Sequence, residues 1–306
     1  MRVVFLGTPA FGRTILERVL EAGWEVPLAI SQPSRTVQRR GRSSEPVPSP
    51  VTTAAREHGV DIEEPDRLDA VLPDLRELSP DAFVVASFGR LVPRELLELP
   101  APWVNVHASL LPRYRGASPI QQAIIDGQAG TGVSLMRMTE GLDEGPVYAV
   151  RPVSIAGDDT AGSLSEKLAD AGAGLLVKTL PGIVRGSLEP KPQPEDGVSY
   201  TTRLTKASGT IDWSQGAETL ERFVRAMQPW PGARTAADEA TVTITAASVA
   251  MAARDPEAPG TFGAQPPLIV SAGNGRLRVD RLTPAGKPEM PGDDWLRGRR
   301  RGGRFD

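Results

Sequence analysis

Hydrophobic residues in the first half of the chain form short continuous runs separated by amphipathic stretches. The runs, rich in β-branched residues, predict strands at 2–7, 26–31, 82–87, 103–109 and 132–139. Apolar residues spaced three or four apart predict helices at 12–23, 50–59, 93–99 and 118–127, and a longer helix at about 163–185. Because strands that are apolar throughout are buried on both faces, the pattern predicts a Rossmann-like α/β domain with a mostly parallel sheet.

The pattern changes after residue 186. The polar stretch 187–200 carries three prolines and is typical of a linker between domains. Beyond it, a helix at 216–228 and strands at 241–250, 267–273 and 276–283 are separated by prolines and glycines, which favours a small OB-like β-barrel. We therefore predict a catalytic domain over 1–189, a linker over 190–206 and a C-terminal domain over 207–306. Five arginines in the last ten residues predict a tail that is only partly ordered.

Composition narrows the class of protein. A chain of 306 residues with 40% hydrophobic and 24% charged residues is typical of a globular protein of two domains. The net charge of −3 provides no overall basic field for nucleic acid, and the absence of cysteine excludes disulfides and thiolate chemistry. The first apolar run is too short for a signal peptide, and no stretch approaches the roughly 20 apolar residues of a membrane span. We expect a cytoplasmic protein.

Asn105, His107 and Ser109 alternate along the predicted strand 103–109 and would share one face near its carboxyl end. Open α/β sheets bind their ligands at that edge. An asparagine amide can donate to a developing oxyanion, and histidine exchanges protons near neutral pH. A core histidine bonded to a backbone carbonyl explains the pattern about equally well. A metal site is not expected, because the second histidine, His58, belongs to a helix that is predicted to be exposed.

A second candidate is Asp143, between Gly141 and Gly145 after a predicted strand. A carboxylate on such a loop could orient an imidazole or relay a proton. An aspartate that bonds its own turn backbone is common in glycine-flanked loops. The residue alone favours this second interpretation.

Two longer stretches resemble a known family. NVHASLLPRYRGASPIQQAI at 105–124 and TGVSLMRMTEGLDEGP at 131–146 are similar in order and spacing to the core of the 10-formyltetrahydrofolate-dependent formyltransferases. FLGTPAFG at 5–12, SQPSR with VPSPV within 31–51, IDWS with RAMQPWP within 211–231, and TPAGK at 283–287 resemble the members of that family that formylate methionine on charged initiator tRNA. The likeness covers nearly the whole chain.

The resemblance implies a catalytic trio of Asn105, His107 and Asp143. The α-amine of tRNA-bound methionine would attack the formyl carbon of 10-formyltetrahydrofolate, a co-substrate, and a tetrahedral intermediate would form. Asn105 and His107 would stabilise its oxygen. Asp143, through His107 or a water molecule, would help move the proton from the attacking amine to the leaving nitrogen. The implied reaction needs no metal.

The resemblance also implies where the two substrates bind. The folate loop would comprise Ser109, Leu110, Leu111 and Pro112, and the backbone of Phe88 and Gly89 would form a wall of the pterin pocket. The roles of Arg113 and Arg115 stay open. Transfer RNA would contact a basic loop after the second strand, which here contains Arg35, Arg39, Arg40 and Arg42.

Phosphate contacts dominate nucleic-acid affinity, so this local patch is plausible despite the negative total charge. A solvated loop is the alternative. The loop is longer and richer in arginine than the family's pattern. Arg40, before Gly41, best matches the family's key arginine, with Arg39 and Arg42 as alternatives. Arginines 299 to 301 of the tail are further candidates, unless they belong to a solubilising end.

Other functions remain possible at this stage. A sugar-amine N-formyltransferase would share the fold, although it has no need of an arginine-rich loop. A glycinamide-ribonucleotide formyltransferase would leave the last ~100 residues unexplained. A folate- or RNA-binding module without catalysis would not require an intact trio. We expect a monomeric enzyme that uses tRNA and folate and has no membrane partner.

Overall fold

The computed structural model describes residues 1–34, 46–238, 240–250, 257–299 and 301–306. Contacts divide the chain into two compact units. The first comprises Met1–Pro119, Gly130–Ser154 and Ser165–Thr201, and the second comprises Ile120–Ala129, Ile155–Leu164 and Thr202–Asp306. The domain boundaries proposed above at 189 and 207 stay predictions.

The first unit contains the strands β1 (Arg2–Gly7), β2 (Glu25–Ile30), β3 (Ile62–Glu63), β4 (Ala82–Ala86), β5 (Trp103–His107), β6 (Arg115–Gly116), β7 (Gly130–Arg137), β8 (Val147–Ser154) and β9 (Tyr200–Thr201). The second unit contains β10 (Ala233–Ala237), β11 (Ala240–Ala250), β12 (Thr261–Phe262), β13 (Ile269–Ser271), β14 (Arg276–Pro284), β15 (Met290–Pro291) and β16 (Gly303–Arg304). The α-helices of the described residues are α1 (Ala10–Glu21), α2 (Pro50–Glu57), α3 (Leu72–Leu78), α4 (Arg94–Leu97), α5 (Pro119–Ile125), α6 (Ala161–Val184), α7 (Ala217–Ala226) and α8 (Gly292–Arg299). Among the described residues, none of these helices combines the length and apolarity needed to cross a membrane.

The main sheet of the first unit has the strand order β3-β2-β1-β4-β5-β7-β8. Strands β1, β2, β3, β4 and β5 run parallel, and β5, β7 and β8 pair in antiparallel fashion. This confirms the prediction of a mostly parallel α/β sheet. Strand β8 was not predicted, because all of its residues are at least partly exposed and its apolar run ends after four residues, at Arg151 and Pro152.

The parallel strands are buried as their composition predicts. Val3, Val4, Phe5 and Leu6 have no exposed surface. At the next two strands the rings of Phe83 and Trp103 stack with centroids 4.2 Å apart. This packing fixes β4 beside β5, and the carboxyl ends of these two parallel strands therefore meet at one edge of the sheet.

The second unit is built on an antiparallel sheet with the order β10-β11-β14-β13-β12-β16, while β15 pairs with β14. This agrees with the predicted all-β character of the C-terminal part. Helix α7 buries Leu220 and Val224 as its amphipathic pattern requires.

The prediction of a partly ordered tail is wrong for the described residues. Strand β16 pairs with β12. Phe305 is 1% exposed, and its ring stacks on Trp213 with the centroids 5.5 Å apart. The buried ring of Phe305 holds the end of the chain in place. The arginine-rich composition of the tail gives no indication of this contact.

Candidate active site

Asn105 and His107 lie at the carboxyl end of β5. Asn105 is opposite Val85 of β4 and Met136 of β7, and His107 is opposite Ser134 of β7. The two residues are separated by one position, so their side chains leave the same face of the strand. Asn105 is partly buried and His107 is buried. The strand period therefore places an amide and an imidazole together at the edge where such sheets bind ligands.

Asp143 reaches these two residues from the loop between β7 and β8. One carboxylate oxygen, Oδ1, accepts a hydrogen bond from Nδ2 of Asn105 at 3.3 Å. The other, Oδ2, accepts a bond from the backbone N–H of Gly116 at 2.8 Å and lies 3.6 Å from Nδ1 of His107. The three residues proposed as catalytic are thus brought together. Asp143 accepts bonds from other parts of the chain, which a turn aspartate bonded to its own backbone does not explain.

The hydrogen bonds of His107 define its tautomer. Nε2 lies 3.0 Å from the backbone carbonyl oxygen of Tyr114. A carbonyl can only accept, so Nε2 carries a hydrogen and donates it. Nδ1 is then the nitrogen free to exchange a proton, and it faces Asp143. A core histidine would explain the contact with Tyr114, but it would not explain a carboxylate beside the second nitrogen.

Residues that support the trio were not predicted from the sequence. Tyr114 has a left-handed backbone, with φ of 60°, which aims its carbonyl at His107. Its N–H donates to Oγ of Ser199 at 2.8 Å. Ser199 precedes β9, which pairs in parallel with β6. The first contact uses the backbone carbonyl of Tyr114, and the second joins residues 85 positions apart, so no local side-chain pattern could have indicated them.

The predicted wall of the pterin pocket lies in the turn after β4. The carbonyl of Phe88 accepts a bond from Nε2 of Gln32 at 2.6 Å. Gly89 is exposed with φ of 76°, and a Cβ there would lie 2.5 Å from the same Nε2 atom. The left-handed φ is one that residues other than glycine seldom adopt, so the turn presents backbone without a side chain at position 89. Folate binding by Phe88 and Gly89 stays a prediction.

The proposed folate loop after β5 is held by buried hydroxyl groups. β5 ends at His107, so the prediction of a strand to residue 109 is wrong. Ser109 lies in the following turn, and its Oγ donates to the carbonyl of Arg113 at 2.6 Å. Oγ of Ser134 donates to the carbonyl of Ser109 at 2.7 Å and accepts from the N–H of Leu111 at 3.1 Å.

Within that loop, Ser109, Leu111 and Pro112 are buried, and Leu110 is partly exposed. Leu110 is therefore the side chain of the four that is most accessible to a ligand. The hydroxyl of Ser109 is used to shape the loop. The assignment of Ser109, Leu110, Leu111 and Pro112 to folate binding stays a prediction.

Of the arginines predicted to contact tRNA, Arg299 and Arg301 belong to the described residues. Arg35, Arg39, Arg40 and Arg42 lie outside the described residues, as does Arg300 of the tail. Arg299 pairs with Asp238, and its guanidinium lies 4.7 Å from the ring centroid of Trp295. Arg299 thus serves the packing of the second unit. No group of three or more potential metal ligands occurs within the described part of the chain.

This chain belongs to the formyl transferase family. The formyl transferase domain of that family matches residues 1–180, and the formyl transferase C-terminal domain matches residues 203–300. The resemblance stated from the sequence motifs is thereby confirmed.

More specific similarity comes from full-length relatives. The methionyl-tRNA formyltransferase of Halorhodospira halophila is 45% identical over 98% of this chain and 96% of its own length. That of Magnetococcus marinus is 42% identical, with 97% of this chain and 95% of the relative covered.

Among solved structures, Aquifex aeolicus HypX in complex with tetrahydrofolic acid aligns with a TM-score of 0.67. It is 18% identical, and the match covers 97% of this chain and 47% of HypX. A Helicobacter canadensis N-formyltransferase with folinic acid and dTDP-3-aminofucose aligns with a TM-score of 0.66 and is also 18% identical. That match covers 90% of this chain and 98% of the other. At such identities, these structures support the fold alone.

Proposed function

We propose that this protein transfers the formyl group of 10-formyltetrahydrofolate to the α-amine of methionine on charged initiator tRNA. The product would be formylmethionyl-tRNA for translation initiation. One observation carries the proposal: Asn105, His107 and Asp143 converge at one sheet edge, in a chain that matches methionyl-tRNA formyltransferases over nearly its whole length.

Asn105 is suited to stabilise negative charge on the formyl oxygen. Its amide nitrogen carries two hydrogens, and one of them bonds Asp143. The other can donate to the oxygen as the amine attacks. The partner carboxylate fixes the direction of the amide, so the donor needs no reorganisation during the reaction. A preorganised donor of this kind lowers a barrier by about 3–4 kcal/mol.

His107 and Asp143 are suited to move the proton. In the transfer, the methionine nitrogen bonds the formyl carbon, the bond from that carbon to the folate nitrogen breaks, and one proton passes from the first nitrogen to the second. Nε2 of His107 is held by Tyr114, which leaves Nδ1 for this exchange. At 3.6 Å, Nδ1 and the carboxylate do not form a tight hydrogen bond, so either group can bond a substrate atom or a water molecule.

The residues at the ends of β4 and β5 fit a folate co-substrate. The exposed turn at Gly89 offers backbone groups to a flat, polar ring, and Leu110 offers partly exposed apolar surface. When bound, the co-substrate supplies a one-carbon unit attached to nitrogen. Phe88, Gly89 and residues 109–112 would hold it beside Asn105. The chemistry derived from these side chains requires no metal.

The tRNA would bind through phosphate contacts. Arg35, Arg39, Arg40 and Arg42 are proposed for this role because of their charge and their place in the family's pattern. We further propose that the enzyme acts in the cytoplasm as a monomer.

The proposal is tested by incubating the protein with 10-formyltetrahydrofolate and methionine-charged initiator tRNA and measuring formylmethionine. Uncharged tRNA and a UDP-aminosugar serve as parallel acceptors. We expect transfer to the charged tRNA alone. Faster transfer to the sugar amine would identify a sugar N-formyltransferase instead, and no transfer to charged tRNA would refute the proposal.

A further inference from the structure

The segment predicted to be a linker is fastened beside the loop of Asp143. Lys191 forms two backbone hydrogen bonds with Val147, the first residue of β8. Val147 N–H donates to the Lys191 carbonyl at 2.7 Å, and Lys191 N–H donates to the Val147 carbonyl at 2.8 Å. Two residues later the side chain of Gln193 reaches the loop itself. This part of the segment therefore has a fixed position next to the reactive groups.

The amide of Gln193 uses all of its hydrogen-bonding capacity. Nε2 donates to the carbonyl of Asp143 at 2.8 Å and to the carbonyl of Gly145 at 2.8 Å. Oε1 accepts from Nε of Arg115 at 3.1 Å and from Nη2 at 2.8 Å. A primary amide has two donors and two acceptor lone pairs, so every one is used. A carboxylate could not replace the two donors, and an aliphatic side chain could replace none of the four bonds.

Arg115 connects Gln193 back to the carboxylate of Asp143. Its side chain is buried, and Nη1 donates to the hydroxyl of Tyr200 at 3.2 Å. The next residue, Gly116, donates its backbone N–H to Oδ2 of Asp143. A closed ring of contacts therefore runs from the Asp143 backbone through Gln193, Arg115 and Gly116 to the Asp143 carboxylate.

This ring holds a backbone that would otherwise be disfavoured. Asp143 has φ of 52°, in the left-handed region that residues other than glycine seldom adopt. Such a conformation persists when surrounding contacts impose it. The two bonds from Gln193 act on the carbonyl of Asp143 itself and on that of Gly145. Removal of these bonds frees the loop to relax, and the carboxylate then moves relative to Nδ1 of His107.

We propose that Gln193 is a positioning residue that holds Asp143 at its working distance from His107. The inference rests on the proposed function, because that function defines the proton transfer that the pair performs. Gln193 acts through the loop and not through a substrate. Its loss should therefore lower kcat and leave the KM values for both substrates nearly unchanged.

The decisive variant is Gln193→Glu. Glutamate keeps an acceptor for Arg115 and adds an opposite charge, but it lacks both N–H donors. We expect a folded protein, held in part by the ion pair with Arg115, whose thermal midpoint falls because the carbonyls of Asp143 and Gly145 lose their donors and face a carboxylate. We expect kcat to fall by up to about 10²-fold, the effect of a misplacement near 1 Å. Gln215→Ala removes an exposed amide that bonds Asp212 at 3.0 Å in the second unit, and this matched control should leave kcat unchanged.

A second measurement does not depend on activity. The chain has two histidines, so ¹⁵N spectra of labelled imidazoles contain one set of signals from His107 and one from His58. His58 is exposed after α2 and serves as an internal reference. In folded Gln193→Glu, the His107 signals should shift and those of His58 should not.

Unchanged His107 signals, or an unchanged kcat, in that variant would overturn the inference. If the unchanged protein formylates no charged tRNA, the proposed function fails instead. The imidazole spectra then still decide whether Gln193 positions Asp143.

Discussion

Nδ1 of His107 lies 3.6 Å from Oδ2 of Asp143. Both side chains are largely shielded, with 7% and 15% of their surface exposed. This separation is slightly longer than a hydrogen bond, so the two side chains are neighbours that do not hydrogen-bond each other. In the proposed transfer, a proton that leaves the substrate nitrogen would be received by one of these two groups.

Asn105→Ala and His107→Ala should each lower kcat strongly and leave folate binding measurable. The first removes an oxyanion donor, with an expected loss of about 10²–10³-fold. The second removes a proton-transfer group, with an expected loss of about 10²–10⁴-fold. Single-turnover formylation and folate titration would measure the two effects separately. His58→Ala is the control. If His107→Ala kept its turnover, His107 would have a packing role and not a catalytic one.

Asp143→Asn and Asp143→Ala should be similar in activity and different in stability. Both remove the carboxylate, so kcat should fall by about 10²-fold or more in each. Asparagine can still accept the N–H of Gly116, whereas alanine leaves that donor without its partner, at a cost of about 1–3 kcal/mol. Denaturant unfolding of the two variants measures the difference. Equal stability would mean that the bond with Gly116 contributes little.

Replacement of Arg39, Arg40 and Arg42 by glutamine should weaken the use of tRNA. For each arginine–phosphate interaction that is removed, the slope of log affinity against log salt should flatten by about 0.7–0.9. The measurement is kcat/KM for charged tRNA at several salt concentrations. Replacement of three exposed arginines elsewhere, Arg67, Arg76 and Arg185, gives the same change in net charge. Identical salt dependence in the two triple variants would refute a specific role for the loop.

Phe305→Ala should destabilise the second unit. The ring is 1% exposed and packs against Trp213, and truncation of a buried phenylalanine costs about 3–5 kcal/mol. Denaturant unfolding checks this value. Arg301→Ala, at an exposed position 3.7 Å from Asp238, should cost no more than about 1 kcal/mol. A Phe305 variant as stable as the Arg301 variant would show that the tail is dispensable.

The parallel sheet could be predicted from the sequence because its strands are buried on both faces and appear as continuous apolar runs. Strand β8 was missed, since its residues are all partly or fully exposed and its apolar run of four residues is broken by Arg151 and Pro152. The strand period placed Asn105 and His107 on one face, and the family motif added Asp143. The same period failed at Ser109, where β5 has already ended and the hydroxyl bonds Arg113.

The supporting contacts of the site were beyond prediction. Tyr114 acts through its carbonyl, and Ser199 binds the N–H of Tyr114 across 85 positions of sequence. The carbonyl of Tyr114 does not depend on the identity of its side chain, and the hydroxyl of Ser199 is too distant in sequence for a local pattern to indicate it. Gln193 lies in a polar, proline-rich stretch whose composition is typical of a spacer. Its role follows only from the four bonds that its amide makes.

The short pairing of Arg115–Gly116 with Tyr200–Thr201 has a consequence for the modularity of the enzyme. A fragment that ends at residue 189 would contain all three side chains that are proposed to be catalytic. It would nevertheless lack the stretch that braces the carbonyl partner of His107 and the loop of Asp143. A chimaera that joins this catalytic unit to a foreign acceptor-binding domain should therefore keep residues 1–201 of this chain, with the junction placed after Thr201.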